Sequence, residues 1–147
     1  MKKIFFLILL STTISLAQKK SSLSSTPSSL DTIVLAGGCY WCVEAVYENL
    51  KGVQKVVSGF AGGTVKNPSY EAVSSGTTGA AEVVQITFNK NETNLDEIFK
   101  VFFTVHDPTT LNRQGADVGT QYRSAIFFKD EAQKKAGQQI IQALTKA

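Results

Sequence analysis

Three side chains have types and settings that could make or break bonds: Cys39, Cys42 and Glu82. The two cysteines are the only ones in the chain, spaced Cys-x-x-Cys directly after Gly37-Gly38. The thiolate is the nucleophilic form of cysteine, and at an ordinary pKa near ~8.5 only about 3% is ionised at neutral pH. A helix N-terminus raises that fraction, because its free backbone N–H groups put partial positive charge beside the sulfur. Residues three apart on a helix stand about 5–6 Å apart, within the Cα range that a disulfide accepts. Cys42 can therefore reach Cys39, which allows a cycle: Cys39 is oxidised to a sulfenic acid, Cys42 condenses with it, and an external dithiol reduces the bridge. A static disulfide is the alternative. A loop this small restricts the unfolded chain little, so its contribution falls at the low end of about 2–4 kcal/mol.

Glu82 heads an alternating segment in which Glu82, Val84, Ile86 and Phe88 share one face and Val83, Gln85 and Thr87 the other. A free glutamic acid with a pKa near ~4.3 is about 0.2% protonated at neutral pH. Burial on an apolar face raises that pKa and turns the carboxyl into a proton donor. By spacing alone, a solvent-facing glutamate at a strand end fits better. His106 lies on the apolar face of a helical segment with no partner at metal-ligand spacing, which suits a packed core or helix-end histidine better than a catalyst. One histidine and two cysteines make no zinc site. Tyr40 and Trp41 could wall a small apolar pocket beside the nucleophile, or serve as ordinary core.

The elements that must position these groups follow from pattern. Thr32 to Ala36 is an apolar, β-branched run ended by the glycine pair, a buried strand stopping at a tight turn. A helix follows, with Val43, Val46, Tyr47 and Leu50 in one stripe and Gly52 closing it, so Cys39 falls at its N-terminus. Val53 to Phe60 reads as a second strand, 61–78 as a glycine-rich loop of the kind that carries ligand contacts, and Glu82 to Phe88 as a third strand. Asn94 and Glu97 form a capping box for a helix whose face runs Leu95, Ile98, Phe99, Phe102, Phe103, His106. A loop over 109–121, a strand from Tyr122 to Phe128 and a helix over 130–145 with Ala136, Ile140 and Leu144 aligned complete the chain. The order β-α-β-β-α-β-α predicts an α/β (α+β) two-layer sandwich: a mixed or antiparallel sheet with helices on one face and a ferredoxin-like β-α-β-β-α-β core.

A chain of 147 residues, 43% of them hydrophobic, encloses one core. Met1-Lys2-Lys3 and the apolar run to Ala17 have the plan of a secretory signal peptide, too short for a membrane span of about 20 residues. The predicted organisation is a leader over 1–17, a Ser-rich linker over 18–30, and one domain over 31–147. Loss of Lys2 and Lys3 takes the 15 basic residues to 13 against 12 acidic ones, a balance that predicts no nucleic acid partner. An exported, periplasmic or secreted monomer without stable membrane insertion is expected.

Gly38-Cys39-Tyr40-Trp41-Cys42-Val43-Glu44 resembles the signature of the peptide methionine sulfoxide reductase A family, which usually reads G-C-F-W-G-x-E. Further matches follow in the family's order: Gly62-Gly63, Asn67-Pro68-Ser69-Tyr70, Ser75-Gly76-Thr77-Thr78-Gly79 with Ala81-Glu82, His106-Asp107-Pro108-Thr109, and the run from Asn112 to Ser124. The resemblance implies reduction of methionine S-sulfoxide, free or in proteins, and hence repair of oxidised proteins. Cys39 attacks the sulfoxide sulfur, Glu82 protonates its oxygen, Tyr70 and Tyr122 hydrogen-bond that oxygen, and Asp117 completes the polar side. Tyr40 and Trp41 receive the substrate methyl group. It implies no resident cofactor, only an external dithiol such as thioredoxin. Three departures stand out: Cys42 where most members have glycine, as in a subgroup with cysteine there, Ala80 in place of a common histidine, and Tyr40 in place of phenylalanine. Members usually continue past the last helix into another strand and a tail that often holds resolving cysteines, so the domain is expected to be C-terminally incomplete, or shortened with Cys42 as the resolving thiol. The residues also admit a general thiol-disulfide oxidoreductase, in which Glu82, Tyr70 and Tyr122 would be idle, and a secreted binding module in which the cysteines only rigidify a turn.

Overall fold

The computed structural model describes residues 28–146, so the expected leader, the first ten residues of the linker and Ala147 lie outside the described residues. Four strands form one antiparallel sheet: β1 (Leu30–Ala36), β2 (Val53–Ala61), β3 (Ala81–Asn89) and β6 (Ala125–Phe127), in the order β2-β3-β1-β6. β3 pairs antiparallel with both neighbours, Ile86 lying opposite Ile33 of β1 and Val56 of β2. The helices are α1 (Tyr40–Tyr47), α2 (Tyr70–Ser74), α3 (Leu95–Val105) and α4 (Glu131–Lys146). Setting aside α2 and the small elements before β6, this is the expected ferredoxin-like order, and its sheet is antiparallel rather than mixed.

Alternation along β1 and β3 sends Ile33, Leu35, Val84, Ile86 and Phe88 to the helical side, where they meet Val43 and Tyr47 of α1 and Ile98, Phe99 and Phe102 of α3. Every one of these is at most 5% exposed, so the sheet-helix layer is the main core. Ala36, Ala81 and Val83 make a thinner second cluster with Val34, Ala125 and Phe127. The Tyr47 hydroxyl donates to the Ile98 carbonyl at 2.8 Å inside the core, tying α1 to α3. A buried phenol needs such a partner, since an unsatisfied one costs about 1–3 kcal/mol.

Several local expectations change. α1 ends at Tyr47, and the chain reaches Gly52 through turns rather than helix. Asn94 caps α3 by accepting from the Glu97 amide at 3.0 Å, but the Glu97 carboxylate turns to Lys100 at 2.7 Å, so half of the capping box forms. The expected loop over 61–78 contains α2, whose N-cap Ser69 accepts from the Ala72 amide at 3.2 Å. The expected loop over 109–121 contains a two-stranded hairpin, β4 (Arg113–Gln114) and β5 (Asp117–Val118), and a 3-10 turn over Thr120–Tyr122. Tyr122 therefore belongs to that turn and not to β6. On α4 the buried residues are Gln133 and Gly137, while Leu144 is 48% exposed and borders a hollow of about 650 Å³ between α3, β6 and α4. Gln133 is buried because its amide bridges two backbones, donating to the Thr32 carbonyl at 2.6 Å and accepting from the Lys129 amide at 3.2 Å.

Phe99→Ala removes a ring with no exposure from the centre of the sheet-helix layer. It should cost about 3–5 kcal/mol, whereas Val57→Ala on the open face should change stability by less than about 0.5 kcal/mol. Urea unfolding followed by circular dichroism checks both.

Candidate active site

The loop after β1 turns sharply at Gly38, whose φ of +91° is open to glycine. The space a Cβ would need there is taken by the Gln114 side chain, 2.6 Å from the ideal position. Gln114 in turn accepts from the Asp107 amide at 3.2 Å and donates to the Asp107 carbonyl at 3.3 Å. The β4–β5 hairpin is thus laid over the glycine turn and pinned to the end of α3. This brings Asp117, the partner of Gln114 in the hairpin, to the side of the cysteine turn.

Cys39 is the N-cap of α1 and is partly buried, and Cys42 stands three residues on in the first turn, exposed; both are free thiols. The Cys42 amide donates to the Cys39 carbonyl at 3.1 Å, while the Cys39 side chain makes no capping hydrogen bond. The positive end of α1 therefore acts on the sulfur through its field and not through a direct N–H contact. The Cys42 thiol is pushed up from its ordinary range, first by the negative charge of Cys39, then by desolvation, by its thiol's interaction with the Cys39 sulfur, and by Asp117.

The first amide of α1 is spoken for by the other anomaly. The Tyr40 N–H donates to Glu82 Oε2 at 3.1 Å, across 42 residues of sequence. Glu82 is 2% exposed, at the head of β3. Desolvation pushes its carboxyl above the usual range and outweighs the Tyr40 N–H, which favours the anion; the charge of Asp117 pushes the same way as burial. A carboxyl pushed toward its protonated form is thus hydrogen-bonded to the residue next to Cys39.

Two phenols complete the cluster. Tyr70 opens α2 and is 52% exposed, and Tyr122 closes the 3-10 turn, partly buried. The Tyr122 hydroxyl is pushed up by desolvation first, then by Glu82, Asp117, Tyr70 and Cys39. Tyr40 responds to desolvation first, then to Glu82, Tyr70, Cys39 and Glu44. Groups that perturb one another in this way share one small volume. On the apolar side the Tyr40 ring stacks against Trp41 at 6.1 Å with 11° between planes, and Phe60 backs it at 5.8 Å. Trp41 is 70% exposed and faces solvent, while Tyr40 is half-buried and its other side packs against the main core.

The structure therefore brings together all eight residues singled out from sequence: Cys39, Cys42, Glu82, Tyr70, Tyr122, Asp117, Tyr40 and Trp41. The large hollow beside α4 shares none of them. His106 stays outside the cluster as a packed helix-end residue, 7% exposed, with Nδ1 2.6 Å from the Phe102 carbonyl and its ring 4.0 Å from that of Phe102. Sequence reasoning missed Phe60 behind Tyr40, Gln114 over Gly38, and the helix that carries Tyr70. The last had a readable signal, since Pro68-Ser69 followed by Glu71 is a helix start with an acidic first turn. The first two depend on contacts that no spacing announces.

The sequence profile described as peptide methionine sulfoxide reductase matches residues 31–147. The chain belongs to the peptide methionine sulfoxide reductase family. Among its relatives, the peptide methionine sulfoxide reductase MsrA of Trichodesmium erythraeum is 53% identical over 115 residues, which cover 78% of this chain and 65% of that protein. Among solved structures, Mxr1 from Saccharomyces cerevisiae in reduced form is similar with a TM-score of 0.74 at 35% identity, covering 82% of this chain and 72% of that one. Mxr1 in complex with Trx2 is similar with a TM-score of 0.56 at 25% identity, covering 86% of this chain and 74% of that one. The chain spans 64–66% of the length of the first curated family members it matches.

Two measurements check the electrostatics. In Cys39→Ser, Cys42 loses the charge that holds its thiol protonated, so iodoacetamide should alkylate Cys42 faster at mildly alkaline pH than in the parent. Burial also pushes His106 below its ordinary pKa. The unfolded chain then binds more protons as pH falls through about 6.5, so the native state loses stability there, and His106→Phe should flatten that part of the pH dependence of the urea midpoint.

Proposed function

We propose that this chain reduces methionine S-sulfoxide to methionine, with Cys39 as nucleophile and Glu82 as acid. One observation carries the reading: the buried Glu82 carboxyl is held at 3.1 Å by the amide of the residue next to Cys39. A sulfoxide is a weak electrophile at sulfur until its oxygen is protonated, and an acid and a thiolate at opposite ends of one S–O bond supply both needs. Cys39 sulfur attacks the sulfoxide sulfur while the Glu82 proton goes to the oxygen. The Tyr70 and Tyr122 hydroxyls donate to that oxygen as charge grows on it, and Asp117 closes the polar side. The oxygen passes to Cys39, leaving methionine and a Cys39 sulfenic acid: the substrate gains two electrons and the cysteine loses them.

The Cys42 thiol then attacks the sulfenic sulfur, expelling water and leaving a Cys39–Cys42 disulfide. Its exposure at the rim suits a thiol that must next meet an outside reductant. A thioredoxin-like dithiol fits this role, supported by the similarity to Mxr1 solved in complex with Trx2. The exposed Trp41 ring and the half-buried Tyr40 ring stacked on it offer an aromatic surface for the substrate's methyl group, and such a surface accepts methionine sulfoxide free or within a polypeptide, which makes repair of oxidised proteins the role. The basic and apolar pattern of residues 1–17 supports action outside the cytoplasm, after export.

Glu82→Gln keeps the shape and removes the proton. It should lower kcat for a methionine S-sulfoxide peptide by about 10²–10⁴-fold, with dithiothreitol as reductant, while leaving thiol-disulfide exchange on a model disulfide intact. In the parent, kcat should fall as pH rises through the elevated Glu82 pKa, because only the protonated carboxyl acts. Equal loss of both activities, or of neither, would favour a general oxidoreductase.

A further inference from the structure

The two phenols of the site come from separate pieces of chain that are short and have little regular structure of their own. Tyr70 begins a helix of five residues, and Tyr122 ends a 3-10 turn of three. A five-residue helix is far below the length that holds itself together in water. Ser69 secures its first turn. At the other end, Ser74 contributes one of the carbonyls that no intrahelical amide can reach. That carbonyl accepts from Gln121 Nε2 at 3.3 Å, across 47 residues of sequence. Gln121 is the middle residue of the turn and the immediate neighbour of Tyr122, and it is 6% exposed.

The chain accommodates this amide at a cost elsewhere. Gly119 sits at φ +146°, and a Cβ there would come within 2.2 Å of Gln121 Oε1 and 2.9 Å of Nε2. Only a residue without a side chain lets the amide fold back over the start of the turn. The turn is itself fixed, with the Gly119 amide donating to the Asn112 carbonyl at 2.9 Å and the Tyr122 amide to the Gly119 carbonyl at 3.0 Å. Gln121 Oε1 and Ser74 Oγ are buried without a hydrogen-bond partner among the described residues. For filling space alone, a methionine of equal length would do without the unmatched oxygen. An amide kept under those terms is there for the bond its nitrogen makes.

We propose that Gln121 is a positioning residue that sets the separation of Tyr70 and Tyr122 by clamping the far end of α2 to the turn. Ser74 lies one helical turn beyond Tyr70, and Gln121 lies one residue before Tyr122, so the clamp leaves little slack between the two hydroxyls. This deepens the sulfoxide-reductase reading and rests on it for the catalytic consequence. The geometric claim, that Gln121 holds the two tyrosines in place, stands apart from it.

Two measurements on Gln121→Met test the two parts. With a methionine S-sulfoxide peptide and dithiothreitol, kcat should fall about tenfold or more while KM changes less than about twofold, since misplacing a group costs rate more than binding. In a Tyr70→Phe/Tyr122→Phe background the same substitution should cost less than about twofold, because the groups it aims are gone. Separately, NMR of ring-labelled tyrosine should show the Tyr122 titration moving back toward its ordinary value in Gln121→Met, as the loosened turn lets water reach the hydroxyl and its acidic neighbours recede, with Tyr122→Phe assigning the signal. Unchanged kcat, or equal loss in both backgrounds, overturns the catalytic consequence, and an unmoved Tyr122 titration overturns the clamp. If the parent protein reduces no sulfoxide at all, the reductase reading falls instead, and the tyrosine titration still decides whether Gln121 positions Tyr122.

Discussion

One hydrogen bond organises this molecule's chemistry: the amide that opens α1 meets a buried carboxyl from β3. Without it the two halves of the cluster have no common reference. Cys39 is placed by a glycine turn at the end of β1, and Glu82 by strand alternation on the neighbouring strand. The contact ties the carboxyl to the residue next to Cys39 and meets a need on each side. A helix N-terminus has amides without partners, and a dry carboxyl has oxygens without donors. The bond also sets an electrostatic contest inside Glu82, in which the amide favours the anion and the loss of water favours the neutral form. Because desolvation prevails, the carboxyl can donate a proton at a pH where an exposed glutamate could not.

Around that bond the fold supplies one rigid wall and one assembled wall. The rigid wall is β1, β3 and α1, with their shared core of Ile33, Leu35, Val84, Tyr47 and neighbours. The assembled wall is α2, the β4–β5 hairpin and the 3-10 turn, which have little core and are held by individual contacts. Gln114 lies over Gly38, and Gln121 reaches Ser74. The sulfur and the acid stand on the rigid wall, and the phenols and Asp117 on the assembled one. In the proposed reaction, the groups that exchange a bond or a proton are thereby fixed most firmly, and those that polarise the oxygen are attached by contacts of modest strength.

The division explains what could be read in the sequence. Elements built by periodicity were legible: the face Glu82, Val84, Ile86, Phe88 is buried as the alternation implies, and α3 runs from its Asn94 cap to the residue before His106. The position of Cys39 at a helix start was legible from the glycine pair and the apolar stripe that follows it. Two-residue strands, a five-residue helix and a 3-10 turn carry too few residues to display any period, and they exist because of tertiary contacts. Glu82 is instructive. Its place at the head of an apolar face was plain, but whether it met solvent or a helix amide depended on a strand pairing and a turn 42 residues away. Tyr70 and Tyr122 stood out only through resemblance, since their convergence is a property of the assembled wall. On α4 the apolar stripe held for Ala136 and Ile140, which pack against the core, but not for Leu144, while the fully buried places went to Gln133 and Gly137.

The aromatic pair has a consequence beyond its proposed hold on a methyl group. Trp41 is the chain's single tryptophan, and it stands 70% exposed beside both sulfurs. An indole's emission colour follows the polarity around it, and its brightness follows nearby quenchers. With no second indole to dilute the signal, this fluorophore is a gauge built into the mouth of the site: covering the ring shifts the light toward the blue, and joining the two sulfurs alters its intensity. For the proposed cycle, the protein's own glow would keep time with arrival, turnover and reset, without a dye.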